Sequence, residues 1–162
     1  MYKYHLSLGS NIEPRLKHMQ QAVQYLEDTG EIIAKSSIFR TSPWGFTDQP
    51  EFYNAIIRYY SIHAPKQLLN NIKRIEKKIG RGSGQRWGPR VIDIDIIWCD
   101  LISVNNEELA IPHPRFRDRR FVLEPLREIT DNLYLSNKKM PVAELLLNCA
   151  DQSEVKKIEM TW

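Results

Sequence analysis

Between Val91 and Cys99 an apolar run is interrupted at alternate positions by Asp93 and Asp95. Side chains alternate along a strand, so both carboxylates share one face, while Ile92, Ile94, Ile96 and Trp98 take the other. Whatever sheet this strand joins must therefore bury one of its faces and leave part of the other polar. The two Asp Cα atoms would lie about 6.6 Å apart, at roughly 3.3 Å of rise per residue. Asp is a poor strand former, and neighbouring like charges repel. A divalent cation, or a pair of them, would remove the repulsion; paired Mg²⁺ ions sit about 4 Å apart in two-metal sites, which this spacing can hold. The other reading is a half-exposed strand whose carboxylates are simply solvated. Against it stands the preceding loop, which carries Arg81, Arg86 and Arg90 straight into the strand.

A chain of 162 residues suits one domain, and 42% hydrophobic residues can build its core. A net charge of +3 is too small for a general nucleic-acid binder. Local clustering matters more: Arg81, Arg86, Arg90, Arg115, Arg117, Arg119 and Arg120 fall in two short segments, which suits a small anionic ligand such as a nucleotide. The two cysteines, Cys99 and Cys149, form no CxxC and make no disulfide framework, and Cys99 reads as a packed thiol. No apolar run reaches transmembrane length and no leader pattern opens the chain, so a reducing cytoplasm is expected.

Tyr2, Tyr4, Leu6 and Leu8 alternate with polar residues as a first strand, broken by Gly9-Ser10-Asn11. Pro14 suits a helix's first turn, Leu16, Met19, Val23 and Leu26 follow helical spacing, and Gly30 is the expected C-terminal cap. Residues 31–41 read as a second strand with Ile32, Ala34, Ser36 and Ile38 on one face; 42–51 is a loop, and 52–62 a third strand. A second helix from Pro65 carries the stripe Leu68, Leu69, Ile72, Ile75 and Ile79 and ends at Gly80. The aspartate strand is the fourth. The order β-α-β-β-α-β is the split βαβ of a ferredoxin-like α+β fold: an antiparallel sheet with helices packed on it. A small hairpin at 101–111 through Asn105-Asn106, short helices at 121–129 and 141–147, and an edge strand after Ala150 complete the expectation, as one domain over 1–162.

Seven motifs then occur in order: Leu8-Gly9-Ser10-Asn11, Arg40-Thr41-Ser42-Pro43, Asp48-Gln49-Pro50, Phe52-Tyr53-Asn54, Arg86-Trp87-Gly88-Pro89-Arg90, Asp93-Ile94-Asp95 and Ile111-Pro112-His113-Pro114. Together they resemble the 6-hydroxymethyl-7,8-dihydropterin pyrophosphokinases of the folate pathway, over Met1 to about Leu147. The resemblance implies an αβα sandwich, transfer of pyrophosphate from ATP to the pterin hydroxymethyl group with release of AMP, and two Mg²⁺ ions held by Asp93 and Asp95. ATP and the reduced pterin are the expected partners, with no nucleic acid or membrane; no exposed apolar helix demands an obligate protein partner, so a monomer is expected, with oligomeric state left open.

Pyrophosphoryl transfer requires alignment of a hydroxyl with the β-phosphorus and neutralisation of phosphate charge. No GxxxxGK[ST] cradle is present, so the loop at 80–90 is expected to act as a mobile lid, placing Arg81 and Arg90 on the transferring phosphates. Arg86 joins the nucleotide contacts, and Trp87 either covers the nucleotide or plugs the loop down. By resemblance His113, Arg119, Lys73 and Ile96 are further ATP contacts. Glu76 is assigned to the nucleotide by the same route; its alternative is a solvated helix carboxylate paired with Lys73 or Lys77. The pterin, a flat heteroaromatic with amide-like edges, would take Asn54 on its edge, Trp44 and Phe121 on its faces, and Thr41, Ser42 and Phe52 as lining; core packing is the alternative for Phe52, Phe121 and Trp44. Ser83 stands where many relatives carry a basic residue, and Lys73 where some carry an amide, so ATP affinity is where this chain would differ. Three rival readings remain: an RNA-binding module stacking bases on Tyr53, Tyr59 and Tyr60, a metal-dependent nuclease or nucleotidyltransferase using the same aspartates, and a non-catalytic binder that holds pterin without consuming ATP.

Overall fold

The computed structural model describes residues 1–43, 48–82, 88–136 and 138–162. A first strand, β1 (Tyr2–Ser10), leads into α1 (Arg15–Glu27), then β2 (Glu31–Lys35), β3 (Ile38–Thr41), β4 (Phe52–Ser61), α2 (Pro65–Ile79) and β5 (Asp93–Cys99). A two-stranded hairpin comes next, β6 (Val104–Asn105) with β7 (Ala110–Ile111), then α3 (Arg120–Ile129). A second hairpin pairs β8 (Asn132–Leu135) with β9 (Lys138–Pro141), before α4 (Val142–Leu147) and β10 (Val155–Ile158).

The main sheet runs β10-β3-β4-β1-β5, with β2 also on β4, and its pairings are antiparallel. Alternation along β1 and β4 gives the sheet two buried faces. Tyr4, Leu6, Leu8, Ala55, Ile57 and Tyr59 form one cluster with Met19, Val23 and Leu26 of α1 and Leu68 and Ile72 of α2. Ile56, Ile97 and Trp98 form another with Val122, Leu123 and Leu126 of α3 and Val142 of α4. At Gly80 the left-handed backbone (φ 117°) ends α2, as expected of glycine at that position.

Three local expectations are corrected. The strand expected at 31–41 is two. Ser36 interrupts it by folding its hydroxyl into the ladder: Ile56 N donates to Ser36 Oγ at 2.9 Å, Ser36 N donates to Ile56 O, and Ser36 Oγ donates to Ser37 O. A serine side chain competing with the backbone in this way breaks strand continuity without losing a hydrogen bond. Secondly, Trp98 lies on the opposite face from Ile94 and Ile96. His5 pairs with Trp98 but Leu6 with Ile96, so Ile97 is an extra residue, and the bulge reverses the facing of the residues beyond it. Thirdly, Gly30 does not cap α1, which closes at Asp28. Its role is steric: a Cβ there would lie 2.4 Å from the Tyr59 ring and from the Tyr60 carbonyl oxygen. Gly30→Ala is accordingly expected to cost about 2 kcal/mol by overpacking, read as a fall in Tm of roughly 4–8 °C in thermal unfolding.

The three tyrosines of the RNA-binding alternative do not form a platform. Tyr59 is fully buried and donates to Leu26 O at 3.0 Å, while Tyr60, one position on, faces the other side beneath Lys3. Among the described residues no helix is long and apolar enough to cross a membrane.

Candidate active site

Asp93 and Asp95 stand at the start of β5 opposite Gly9 and Ser7 of β1, on the sheet face that α3 covers further along. Here the helix has only begun, so the face stays open as a cavity. Asp93, Asp95, Arg90 and Arg119 line it together with Thr41, Ser42, Phe52, Asn54 and Phe121. The Asp95 side chain keeps 41% exposure and has Arg119 at 3.9 Å. Its carboxyl is pushed up to about 7, first by desolvation in the cleft and then by the charge of Asp93. Desolvation and the Asp93 charge thus outweigh the pull of Arg119 and Arg81 at Asp95.

Arg81 meets the other carboxylate of the pair. Its guanidinium lies 2.8 Å from Asp93 Oδ1 and also contacts Glu76 Oε1. Glu76 is 6% exposed on α2, and its Oε1 accepts a hydrogen bond from Ile94 N at 2.8 Å. Burial holds the Glu76 carboxyl above the ordinary range against the pull of those donors. The solvated helix carboxylate is thus excluded: Glu76 fixes α2 to β5 between the two aspartates and holds Arg81 in reach of them.

Asn11 is the second organising residue. It is 1% exposed and grips two loops at once. Its Oδ1 accepts from Arg90 N at 2.7 Å and its backbone N donates to Arg90 O; its Nδ2 donates to Gln49 Oε1 and Pro50 O, each at 3.0 Å. Ser10 Oγ donates to Val91 O at 2.6 Å beside it. The turn after β1 thereby sets the root of Arg90 and the end of the loop preceding β4. Asn11→Ala is expected to cut turnover by about 10²-fold, the effect of misplacing reacting groups by an ångström, while Asn11→Asp retains more; steady-state rates beside circular dichroism check this.

In the same cavity Asn54 is buried and its Nδ2 donates to Thr41 Oγ1 at 2.7 Å, leaving its carbonyl oxygen and second N–H for a ligand. Gly9 makes room for it, since a Cβ there would sit 2.9 Å from Asn54 Oδ1. Phe121 opens α3, with the Arg119 guanidinium 5.6 Å from its ring centre. His113 N donates to Ile97 O, and Arg115 N donates to His113 Nδ1 at 3.2 Å, which leaves Nε2 as the ring's N–H. Burial, then Arg119 and Arg115, lower its pKa to about 4, so the imidazole is a neutral donor near pH 7.

Other expected residues fall elsewhere. Ile96 is buried among α1 and α2, across the sheet from the aspartates. Lys73 is exposed on α2 and does not line the cavity. Of the four clustered arginines at 115–120, Arg119 alone lines it; Arg120 pairs with Glu124. Trp44, Ser83, Arg86 and Trp87 lie outside the described residues.

The sequence model of the 7,8-dihydro-6-hydroxymethylpterin-pyrophosphokinase (HPPK) family matches residues 5–131. The chain belongs to the HPPK family. A 2-amino-4-hydroxy-6-hydroxymethyldihydropteridine pyrophosphokinase of Methylorubrum extorquens is 38% identical over 98% of this chain and 100% of its own length. That of Bacillus subtilis is 39% identical over 77% of this chain and 76% of its own. A crystal structure of Plasmodium falciparum HPPK-DHPS A437G with SDX-DHP superposes with a TM-score of 0.68 at 16% identity, covering 90% of this chain. The chain spans 45% of that longer one, and the likeness carries the fold. The HPPK match encloses every site residue from Asn11 to Phe121.

Sequence reasoning assigned no role to Asn11 or Gln49, although both stood in motifs of the set. The donors at Asp93 and Asp95 fit Mg²⁺: two hard oxygen ligands on one face, with the charged form of Asp95 disfavoured by desolvation and by the Asp93 charge. Among the described residues no cluster of three His, Cys, Asp or Glu surrounds a point, so the remaining ligands would come from phosphate oxygens and water, as Mg²⁺ prefers.

Proposed function

We propose that this chain transfers pyrophosphate from ATP to the hydroxymethyl group of 6-hydroxymethyl-7,8-dihydropterin, releasing AMP, in folate biosynthesis. The observation that carries the reading is the single cavity that joins Asp93, Asp95, Arg90 and Arg119 to Asn54, Phe52 and Phe121, within the span that the family matches. The substrate hydroxyl oxygen bonds to the β-phosphorus, the bond from that phosphorus to the α-phosphate bridging oxygen breaks, AMP leaves, and the hydroxyl proton is lost. Two Mg²⁺ ions held by Asp93 and Asp95 would neutralise phosphate charge and polarise the hydroxyl. Asn54 reads the pterin edge, with Thr41 fixing its amide, and Phe121 and Phe52 supply apolar faces. Arg90 and Arg119 bring permanent charge to the phosphates, with Arg81 delivered from its Glu76 anchorage. His113 donates from a neutral ring.

The strand order with its intervening helices supports a ferredoxin-like αβα sandwich, and we read residues 1–162 as one catalytic unit, a cytoplasmic monomer acting on two small molecules. The deciding assay mixes the protein, ATP, Mg²⁺ and reduced hydroxymethylpterin. AMP is expected, in proportion to pterin consumed and blocked by chelation. ADP as product, or no turnover with substrate that a known pyrophosphokinase accepts, rejects the reading.

A further inference from the structure

The face that carries the active site holds a second polar cavity at the other end of α3. Its floor comes from adjacent strands: His5 of β1 stands directly across from Arg58 of β4, and Lys3 across from Tyr60. Its roof is the end of α3 and the turn beyond it, where Thr130 Oγ1 lies 2.8 Å from His5 Nε2.

Two nitrogens in this floor are buried and lack a hydrogen-bond partner: His5 Nδ1 and Arg58 Nε. His5 is 3% exposed. Buried polar atoms in folded proteins are nearly always satisfied, so a pair of orphans lining one cavity points to a missing partner. When the Thr130 hydroxyl donates to Nε2, the ring carries its proton on Nδ1. The floor then offers two N–H donors from neighbouring strands, with the Lys3 ammonium at the mouth, 5.6 Å from the Tyr60 ring centre. Two donors beside the Lys3 and Arg58 charges, which also act on Asp100, suit a ligand of acceptor oxygens.

The rim limits its size and charge. Asp100 and Asp131 line the cavity as well, and Glu128 is already held by Lys157 Nζ at 2.8 Å and Ser37 N at 2.6 Å. Asp100 lies beside Lys3 and within reach of the Arg58 charge, so a polyphosphate would meet more carboxylate repulsion here than a compact, singly charged oxyanion. We propose that this cavity is a second ligand site, taking a phosphate- or carboxylate-sized oxyanion on the His5 imidazole and the Arg58 guanidinium. The site excludes nucleotides, and it stands independently of the catalytic reaction assigned to the first cavity.

Burial, then the Arg58 charge, lowers the His5 pKa to about 4, so the ring by itself is neutral near pH 7. An anion beside it favours the imidazolium and must raise that value. The test is nuclear magnetic resonance of protein labelled in its four histidines, titrated separately with sodium phosphate, acetate and ATP at constant ionic strength. Phosphate or acetate is expected to shift the His5 ring signals saturably at millimolar concentration and raise the His5 pKa. ATP should move His113 and leave His5 unchanged. Arg58→Gln should weaken the His5 response about tenfold, as loss of a charge-assisted hydrogen bond does, with the His113 response to ATP retained. Lys3→Gln, an exposed change that leaves the floor intact, should weaken it less, and serves alone if Arg58→Gln fails to fold. A His5 ring indifferent to both anions overturns the proposal, as does an unaltered response in the folded variants.

Discussion

Asp95→Asn will reduce AMP formation by at least about 10³-fold, the scale of losing a charge-stabilising group in phosphoryl transfer, and will raise Tm in the presence of chelator. The two effects have one origin. Asp95 is held with its carboxyl up near 7 by desolvation and by Asp93. A carboxylate whose folded pKa exceeds its unfolded value is fully tolerated below the unfolded pKa, and stability is lost as pH rises through the folded one. Metal-free protein should therefore lose stability between about pH 4 and pH 7, and Mg²⁺ should restore it. In Asp95→Asn both the pH slope and the Mg²⁺ rescue should shrink, because the amide carries no charge to be neutralised. Melting curves at pH 5 and pH 8, with chelator and with Mg²⁺, measure this independently of turnover. Wild-type activity in the variant, or an unchanged response to Mg²⁺, removes the role assigned to the pair.

How the chain announces this site is uneven, and the reasons are physical. The shared face of Asp93 and Asp95 was legible because strand alternation is local and those residues precede the bulge. Just beyond them the same rule failed at Trp98, because the extra residue at Ile97 is inserted by pairing with β1, far away in the chain. Glu76 was ambiguous because a carboxylate at the edge of a helical stripe is commonly solvated; its burial depends on Ile94 N and Arg81, which no periodicity reveals. Asn11 escaped for the same reason, its partners being Gln49, Pro50 and Arg90. The hairpin β8–β9 was missed because only Leu133 of its residues is deeply buried, so alternation is weak. Helical stripes, by contrast, were read nearly residue for residue: Met19, Val23 and Leu26, then Leu68, Ile72 and Ile75, all face the core. Local patterns placed the elements, and contacts distant in sequence built the site on them.

Arg90→Ala carries the second large effect, and its form discriminates between two roles. The backbone of Arg90 is fixed at both its N–H and its carbonyl by Asn11, so the side chain projects from a rigid root into the cavity that Asp93 and Asp95 line. A guanidinium so placed can stabilise charge that grows as the β-phosphorus changes partners, and interactions made only then lower kcat without raising the substrate's dissociation constant. The expected result is a fall in kcat of about 10³-fold, in line with other transition-state arginines, with the Kd for ATP changed by no more than about threefold. Arg90→Lys should recover little, since a point charge on a flexible stem cannot reproduce the fork. Equilibrium binding of a non-transferable ATP analogue, set beside single-turnover rates, separates the two quantities. A weakened Kd with an unchanged chemical rate would assign Arg90 to ground-state binding, and the charge on the transferring group would then fall to Arg81, which must first leave its contacts with Glu76 and Asp93.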